Sequence, residues 1–378
     1  MTRIAASLLA ASLLATTLLA TATASADAAS VTIPVLVPLT GFLAVEGASQ
    51  RNGAILALSA PPAGVTTKFD VSDTGVSPEV AVNALERAAG DNPIAIVAPM
   101  LGTQMLAMMP VAKEQKIPLL TISGTAAITR QGNPYIFRFV PDDATTKNAQ
   151  VRYALEAKGI KKPAVIYQTT AYGQSGHVEI VNALKKAGIP PVYEEALDVA
   201  VKDMAPVLAK ARAAGADALL LHLHGGPSAL LLKAAASAGL GLPIIAGSGL
   251  SQPSTINLLE PAELAGVCAE TSSSPASAET PAIRGFLEAY RKKFNADPDG
   301  FALAQYDGTM MALEAVARGA TTPAALTQAL ASTSYAGLAM TYKSNGRGDM
   351  AHTAVIICYD GKSRIPAVVA HYANEASD

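Results

Sequence analysis

The chain has 378 residues, of which 50% are hydrophobic and 15% charged, and its formal net charge is −2. This near-neutral composition gives no general attraction to nucleic acid or to an anionic membrane surface. After the N-terminal segment, no stretch is both long enough and free enough of charge to suggest a bilayer span. We therefore expect neither nucleic acid nor inserted membrane among the partners of the mature chain.

Residues 1–26 have the features of a secretory signal peptide. Arg3 precedes the apolar stretch 4–20, and Ala24-Ser25-Ala26 forms an A-x-A cleavage site. A membrane anchor is less favoured, because the run is short, rich in Ala, Ser and Thr, and followed by small residues rather than a charged stop. Cleavage would leave 352 residues, enough for two domains. Since no lipobox-type cysteine lies near the cleavage point, we expect the periplasm as the location.

The sequence contains two cysteines, Cys268 and Cys358. Export would permit a disulfide between them. Both, however, lie in apolar, strand-like segments, AGVCAE and AVIICYD, where buried thiols are equally plausible. The sequence alone leaves both alternatives open, because it does not give the separation of the two residues.

From residue 31 onward, apolar segments of strand length alternate with amphipathic segments rich in alanine. We expect helices around residues 47–59 and 78–89, the second with Ser77 as N-cap and Pro78 in its first turn. Continuous apolar strands separated by helices indicate a parallel sheet covered on both faces. The sequence therefore predicts a doubly wound α/β architecture, repeated before and after about residue 142. In chain order the predicted strand segments are VTIPVLVPL, KFDVSD, PIAIVAPM, KIPLLTIS, PAVIYQ, ADALLLHLH, PIIAGS and ELAGVCAETS.

Two of these strands end in small and hydroxyl-bearing residues. The segment PIAIVAPM runs into Leu-Gly-Thr at 101–103, and PLLTIS runs into Ser-Gly-Thr at 123–125. In an open parallel sheet, ligands bind beyond the carboxyl ends of the strands, where backbone amides and helix N-termini accept negative charge. Either segment alone is explained by turn composition. Their coincidence at neighbouring strand ends favours a cradle for a carboxylate.

The sequence offers no recognisable catalytic constellation. It lacks the dinucleotide-binding, phosphate-binding-loop and G-x-S-x-G motifs, and its two remote cysteines lack clustered histidines. His222 and His224 project to one face of a predicted strand, but no acid or thiol accompanies them at metal-ligand spacing. We therefore expect no enzymatic activity, no cofactor and no metal, and we take His224 as the better candidate for a polar contact with a ligand.

Several segments together resemble the branched-chain amino acid binding proteins, the leucine/isoleucine/valine type of periplasmic receptor that serves ATP-binding-cassette importers. The resemblance covers essentially the whole mature chain. It rests on the order and spacing of VLVPLTGFLAVEG, DTGVSPEVAVNALERA, VAPMLGTQ, IPLLTISGTAAIT, VIYQTTAYGQSG, QYDGTMMALEAV and GRGDMAHTAVIICYDG.

The resemblance implies two α/β lobes joined by three crossings and closing on a small ligand, the type I periplasmic binding fold. Lobe one would comprise residues 27–142 and 274–354, and lobe two residues 143–273 and 355–378. The segments RFVPDD and AETSSSP lie where crossings are expected.

The resemblance also implies a set of site residues. Lobe one would bind the α-carboxylate of the ligand through Gly102, Thr103, Ser123 and Thr125. The resemblance would also place Tyr172 and Phe301 at the ligand. The alternative for Tyr172 is an aromatic residue that packs in a turn, and the alternative for Phe301 is an ordinary core residue. At the start of a predicted helix, Asp307 is expected to be a cap rather than a ligand contact.

Three positions depart from the family pattern. Gly102 replaces the usual serine, so that one hydroxyl is lost. Ser248 stands where the family commonly supplies an acid for the ammonium group of the ligand. Glu46 lies where the family often has an aromatic residue; it either replaces the missing acid or is a solvated loop glutamate.

We expect the chain to be a monomeric receptor that captures an amino acid with an aliphatic or small aromatic side chain and presents it to an inner-membrane ABC permease. One alternative ligand is an organic acid, aromatic carboxylate or amide without an ammonium group, which Ser248 favours. Alternatives of other classes are a periplasmic sensor subunit and a hydrolase on the same fold.

Overall fold

The structure is a computed structural model that describes residues 28–277 and 280–373. The predicted signal peptide lies outside the described residues. The strands are β1 (Ala29–Thr32), β2 (Val35–Val37), β3 (Val65–Lys68), β4 (Val71–Asp73), β5 (Ile96–Val97), β6 (Leu119–Thr121), β7 (Ile136–Arg138), β8 (Pro163–Gln168), β9 (Tyr193–Leu197), β10 (Ala218–His222), β11 (Ile244–Ala246), β12 (Val267–Thr271), β13 (Ser334–Ala336), β14 (Thr341–Lys343), β15 (Thr353–Cys358) and β16 (Ala367–Ala373).

The α-helices alternate with these strands over most of the chain. They are α1 (Ala44–Leu58), α2 (Pro78–Ala89), α3 (Gly102–Gln115), α4 (Ala127–Arg130), α5 (Asp143–Arg152), α6 (Ala171–Lys186), α7 (Ala205–Ala213), α8 (Gly225–Ser237), α9 (Pro253–Ile256), α10 (Pro281–Phe294), α11 (Gly300–Ala317) and α12 (Pro323–Ser332). Within the described residues, no helix combines the length and the apolar character needed to cross a bilayer.

Most of the strands form two separate large sheets, while β1 pairs with β3 and β13 with β14. The first has the order β4-β2-β5-β6-β7 and is parallel throughout. The second has the order β16-β15-β12-β11-β10-β8-β9, in which β12 to β9 are parallel. Helices cover both sheets, and separate hydrophobic cores lie against them. The predicted doubly wound α/β fold with two lobes is thereby confirmed.

The C-terminal strands β15 and β16 add an antiparallel edge to the second sheet. The chain passes between the two sheets three times: between β7 and α5, between β12 and α10, and between β14 and β15. Each sheet is thus assembled from segments distant in sequence, and the three crossing segments form the hinge.

Local sequence explains where several helices begin. Pro78 occupies the first turn of α2, as expected, since its missing amide hydrogen is not needed there. Asp299, in the predicted turn ADPDG, is the N-cap of α11 and accepts from the Ala302 amide at 2.8 Å.

The expectation that Asp307 caps a helix was wrong. Asp307 lies in the middle of α11, where it is buried and accepts hydrogen bonds from the amides of Leu338 and Ala339, both at 2.9 Å. Tyr342 donates to the same carboxyl at 3.1 Å. Burial raises the pKa of Asp307 to about 6, against the effect of these donors. The side chain therefore anchors a loop after α12, which helical spacing in the sequence does not reveal.

Cys268 and Cys358 form a disulfide, so the buried-thiol alternative was wrong. The two residues are paired across the antiparallel strands β12 and β15, and they are 90 residues apart in sequence. The disulfide therefore links the strand that precedes the second crossing to the strand that follows the third.

We expect the double substitution Cys268→Ala/Cys358→Ala to lower the free energy of unfolding by about 2–4 kcal/mol, because it removes a cross-link that closes a long loop of the unfolded chain. Urea unfolding of the variant and of the wild-type protein, oxidised and reduced, measures this. An unchanged midpoint on reduction would contradict the prediction, and the reduced wild-type protein should match the variant.

Candidate functional site

A cavity of about 50 Å³ lies between the carboxyl ends of the two parallel sheets. Its walls come from both sheets and from the first crossing, so the site is complete only when both halves of the molecule are together. It is lined by Leu43, Glu46, Met100, Leu101, Ile122, Gly124, Val140, Pro141, Asp143, Thr146, Tyr172, His224, Gly225, Ser248, Gly249, Gln252, Glu270, Ser272 and Phe301.

The loop after β6 brings two hydroxyls close to the cavity. Ser123 and Thr125 are almost fully buried, and neither hydroxyl has a hydrogen-bond partner among the described residues. Such groups cost about 1–3 kcal/mol each when left unpaired. Gly124 between them lines the cavity. The loop therefore has unused hydrogen-bonding capacity beside the cavity.

Gly102 begins α3 and faces this loop. A Cβ atom at Gly102 would lie 2.0 Å from Oγ1 of Thr125, far inside van der Waals contact. The Thr125 side chain thus occupies the space that a serine at position 102 would need. This packing leaves no room for any side chain at position 102.

Arg138, at the end of β7, hydrogen-bonds the backbone of the same loop without lining the cavity. Its guanidinium is fully buried and donates to the carbonyls of Ser123, Gly124 and Thr125 at 3.3, 3.3 and 2.8 Å. It also forms an ion pair with Asp349, which lies just before the third crossing. The three carbonyls are thereby directed to a cation that does not line the cavity.

Two buried acids, Asp143 and Glu270, line the cavity from the first crossing and from β12. They are 2% and 1% exposed. In each, one carboxylate oxygen, Oδ2 of Asp143 and Oε2 of Glu270, has no hydrogen-bond partner among the described residues. Lys147 forms a buried ion pair with Glu270, whose Oε1 also accepts from the Ser248 amide at 3.0 Å.

Asp143 is the less well compensated of the two acids. Burial raises its pKa to about 7, although Lys147, the Ser175 hydroxyl and Arg138 act in the opposite direction. One ammonium group, Lys147, therefore serves two carboxyls. With a pKa of about 7, the Asp143 carboxyl is partly protonated at neutral pH.

Tyr172, His222 and His224 form an aromatic wall from the second sheet. The ring centroid of Tyr172 lies 3.8 Å from that of His222 and 5.0 Å from that of His224. Burial lowers the pKa of His224 to about 4 and that of His222 well below its usual value. Both imidazoles are therefore neutral, and His224 hydrogen-bonds the Thr170 hydroxyl at 3.2 Å. Among residues 28–277 and 280–373, no three His, Cys, Asp or Glu side chains are grouped so that they could hold a metal ion.

Glu46 lies on α1, across the cavity from these residues. It is 6% exposed, so the solvated-loop alternative was wrong. Burial raises its pKa to about 7, while its hydrogen bond from the Gly225 amide at the start of α8 acts against this shift. Glu46 therefore joins the two halves of the molecule as well as lining the cavity.

Of the nine residues expected in the site, Glu46, Tyr172, His224, Ser248 and Phe301 line the cavity. Phe301 also packs against the core of the first sheet. The remaining four, Gly102, Thr103, Ser123 and Thr125, lie one or two residues from the lining residues Leu101 and Gly124. Their role as ligand contacts stays a prediction.

Sequence reasoning missed Asp143 and Glu270. Asp143 follows the N-cap residue Asp142, which accepts from the Thr145 amide at 2.8 Å, and sequence does not show which of two adjacent acids is the cap. Glu270 did carry a signal. An acid in the fully buried strand VCAET requires a buried partner, which points to a charged site.

Contacts across the cleft show that the halves are closed on each other. The Ala126 amide donates to Oγ of Ser175 at 3.0 Å, and Arg130 pairs with Glu179 at 2.7 Å. Phe42 lies 5.2 Å from His224 between ring centroids. A two-lobed protein closed over a polar, partly charged cavity at strand ends is a receptor for small solutes.

Comparison with known proteins agrees with this class. Residues 30–360 match the family described as periplasmic binding protein. The chain therefore belongs to the periplasmic binding proteins, a family of substrate-binding proteins of transporters rather than enzymes.

Two curated relatives illustrate the similarity. The chain is 24% identical over 305 residues, 78% of this chain and 79% of the relative, to the leucine-, isoleucine-, valine-, threonine- and alanine-binding protein of Pseudomonas aeruginosa. It is 28% identical over 236 residues, 60% of this chain, to Leu/Ile/Val-binding protein homolog 3 of Brucella melitensis. The latter match spans 64% of that relative's length.

Solved structures share the fold. A leucine-binding protein from Thermotoga maritima superposes with a TM-score of 0.81 at 22% identity, covering 91% of this chain and 99% of that one. A solute-binding protein of an ABC transporter from Rhodopseudomonas palustris, in complex with 3,4-dihydroxybenzoic acid, gives 0.81 at 23% identity, covering 91% and 96%. The fold thus occurs with ligands of two chemical classes.

We expect Gly225→Ala to destabilise the protein by about 1–3 kcal/mol, the usual cost of overpacking. The added methyl group would lie 2.2 Å from Oγ1 of Thr255 and 3.0 Å from Oε1 of Glu46. The matched control is Gly226→Ala, where a Cβ atom meets nothing within 4 Å. Urea unfolding of both variants measures the difference, and equal stabilities would contradict the packing described here.

Proposed function

We propose that this protein is the periplasmic receptor of an ABC importer for an amino acid with an aliphatic or small aromatic side chain. The proposal rests on one observation: Asp143 and Glu270 are buried beside the cavity, each with one oxygen that has no partner among the described residues, and they share the ammonium group of Lys147.

The charge balance favours a ligand that carries an ammonium group. None of the residues that line the cavity is a lysine or an arginine, whereas three of them are carboxylic acids, Glu46, Asp143 and Glu270. A buried, unpaired carboxylate is strongly disfavoured, and a ligand cation removes this cost. Asp143 and Glu270 therefore replace the acid that the family has at Ser248.

The opposite end of the ligand would meet the strand-end loops of the first sheet. The hydroxyls of Ser123 and Thr125 and the amides at the start of α3 suit a carboxylate, since helix N-termini attract negative charge. Apolar walls remain for the side chain, formed by Leu43, Met100, Ile122, Val140 and Phe301.

Transport would follow from closure. In this proposal lobe one comprises residues 27–142 and 274–354, and lobe two residues 143–273 and 355–378. A ligand that contacts Gly124 on one side and Tyr172 on the other favours the closed population. A monomer in the closed state would then be recognised by an inner-membrane permease.

An organic acid without an ammonium group is the second candidate. Ser248 removes the usual acid, and the structure from Rhodopseudomonas palustris holds a dihydroxybenzoic acid. Since burial raises the pKa values of Glu46 and Asp143 to about 7, their protonated forms would donate hydrogen bonds to such a ligand.

A thermal-shift screen of the mature protein, refolded free of ligand, separates the two candidates when amino acids and their des-amino analogues are compared. A ligand at 100 times its Kd adds about 2.7 kcal/mol of stability. We expect stabilisation by amino acids and none by the analogues. The reverse result would establish the organic-acid receptor instead.

The variant Asp143→Asn should reduce amino-acid affinity by about tenfold or more, because it removes a charge-assisted hydrogen bond worth about 1.5–3 kcal/mol. The matched control, Asp142→Asn, keeps a good N-cap residue and removes a neighbouring charge that does not line the cavity. Calorimetric titration of both variants tests this. Equal affinities in the two variants would exclude Asp143 as the ammonium partner.

Amino-acid affinity should also rise with pH between about 6 and 8. The ligand ammonium binds ionised Asp143, whose pKa of about 7 leaves it partly protonated in the empty site, so binding below pH 7 must release a proton. The groups facing Asp143 are Lys147 of α5, the N-cap residue Asp142, Arg138, Ser175, His222 and Tyr172. Titration calorimetry in buffers of different ionisation enthalpy measures the proton release. Affinity that falls over this range would indicate an anionic ligand bound by protonated carboxyls.

A further inference from the structure

A second group of polar side chains, Gln252 and Glu46, lines the cavity near α8 and α9. Gln252, the N-cap residue of α9, is 1% exposed and lines the cavity. Its Oε1 has no hydrogen-bond partner among the described residues. A buried amide oxygen without a donor is rare in folded proteins, and it requires an explanation.

Glu46 approaches the same region from the other lobe. Its Oε1 lies 3.0 Å from the point where a Gly225 Cβ atom would stand, and Oγ1 of Thr255 and the Gly249 carbonyl lie 2.2 and 3.3 Å from that point. The Thr255 amide in turn donates to the Gln252 carbonyl at 3.0 Å. Glu46 and Gln252 both line the cavity, Glu46 from α1 and Gln252 from the segment that leads into α9.

This group is separate from the one that would hold the ligand ammonium. Asp143 and Glu270 are linked through Lys147, next to the first crossing. Glu46 instead accepts a hydrogen bond from the Gly225 amide, and burial together with the nearby Asp299 raises its pKa. A single α-ammonium group bound at Asp143 and Glu270 therefore leaves Gln252 without a donor.

We propose that Glu46 and Gln252 form a specificity subsite for an amino acid whose side chain ends in an N–H or O–H donor, such as a hydroxyl, an amide or an amine. This rests on the amino-acid receptor proposed above, and it replaces the purely aliphatic or small aromatic side chain by one with a polar tip: the apolar walls hold the stem of the side chain and the subsite holds its tip. Both side chains present acceptor oxygens, so a purely hydrocarbon side chain would leave them unpaired.

Pairs of amino acids of similar shape test the subsite: valine with threonine, leucine with asparagine, methionine with glutamine, and phenylalanine with tyrosine. Calorimetric titration of the wild-type protein should show the donor-bearing member binding at least tenfold tighter in the pair that fits the cavity. In Gln252→Leu this preference should fall at least fivefold, while the apolar member binds as well as before or better. Gln252→Glu, which keeps acceptor oxygens, should retain the preference.

The outcomes separate this inference from the proposed function. If amino acids bind and the apolar member of each pair is preferred, the subsite is refuted while the amino-acid receptor stands. An unchanged preference in Gln252→Leu likewise refutes it. If only des-amino acids bind, the proposed function fails, and with it the inference that depends on it.

Discussion

The buried guanidinium of Arg138 is the contact on which both the hinge and the site depend. It pairs with Asp349 and donates to the carbonyls at 123–125 and to the Thr129 hydroxyl. The backbone of Arg138 also bridges to Asp349 beside the first sheet. One cation therefore joins the first crossing, the third crossing and the loop at the end of β6. Because a buried charge is tolerated only when it is fully paired, these segments must keep their relative positions.

A second charge cluster lies on the other side of the cavity and differs in being incomplete. Arg138 has as many partners as it can use, whereas Lys147 is shared by Asp143 and Glu270. The first cluster is structural, since nothing in it requires a ligand. The second is completed either by a proton or by a ligand cation. This difference explains the opposite pKa shifts of two acids. Burial raises the pKa of Asp143 to about 7, whereas Arg138 and hydrogen bonds to Asp349 hold the pKa of Asp349 below its usual value.

The fold was largely predictable because hydrophobic periodicity and helix-start residues are local signals. Strand segments such as PAVIYQ and the boundaries of α2 could be placed from the sequence, and the strand-end loops pointed to the right edge of the sheets. The charge pairing was not predictable, since Lys147 and Glu270 are 123 residues apart and meet only where α5 packs against β12. Asp307 was misassigned for the same reason: its partners lie in a loop about 30 residues further on.

Two of the departures expected from the family resemblance are each accompanied by a neighbouring residue that has a polar group: Thr125 beside Gly102, and Glu270 beside Ser248. Gly102 lacks the family's hydroxyl, but the Thr125 side chain fills the space of that residue and brings its own hydroxyl to the strand end. Ser248 lacks the family's acid, but its backbone amide orients Glu270, whose second oxygen is unpaired. In both cases a neighbouring residue has a buried oxygen without a partner among the described residues. The site is therefore better defined by its unpaired oxygens than by aligned positions, and these oxygens favour a ligand that supplies donors.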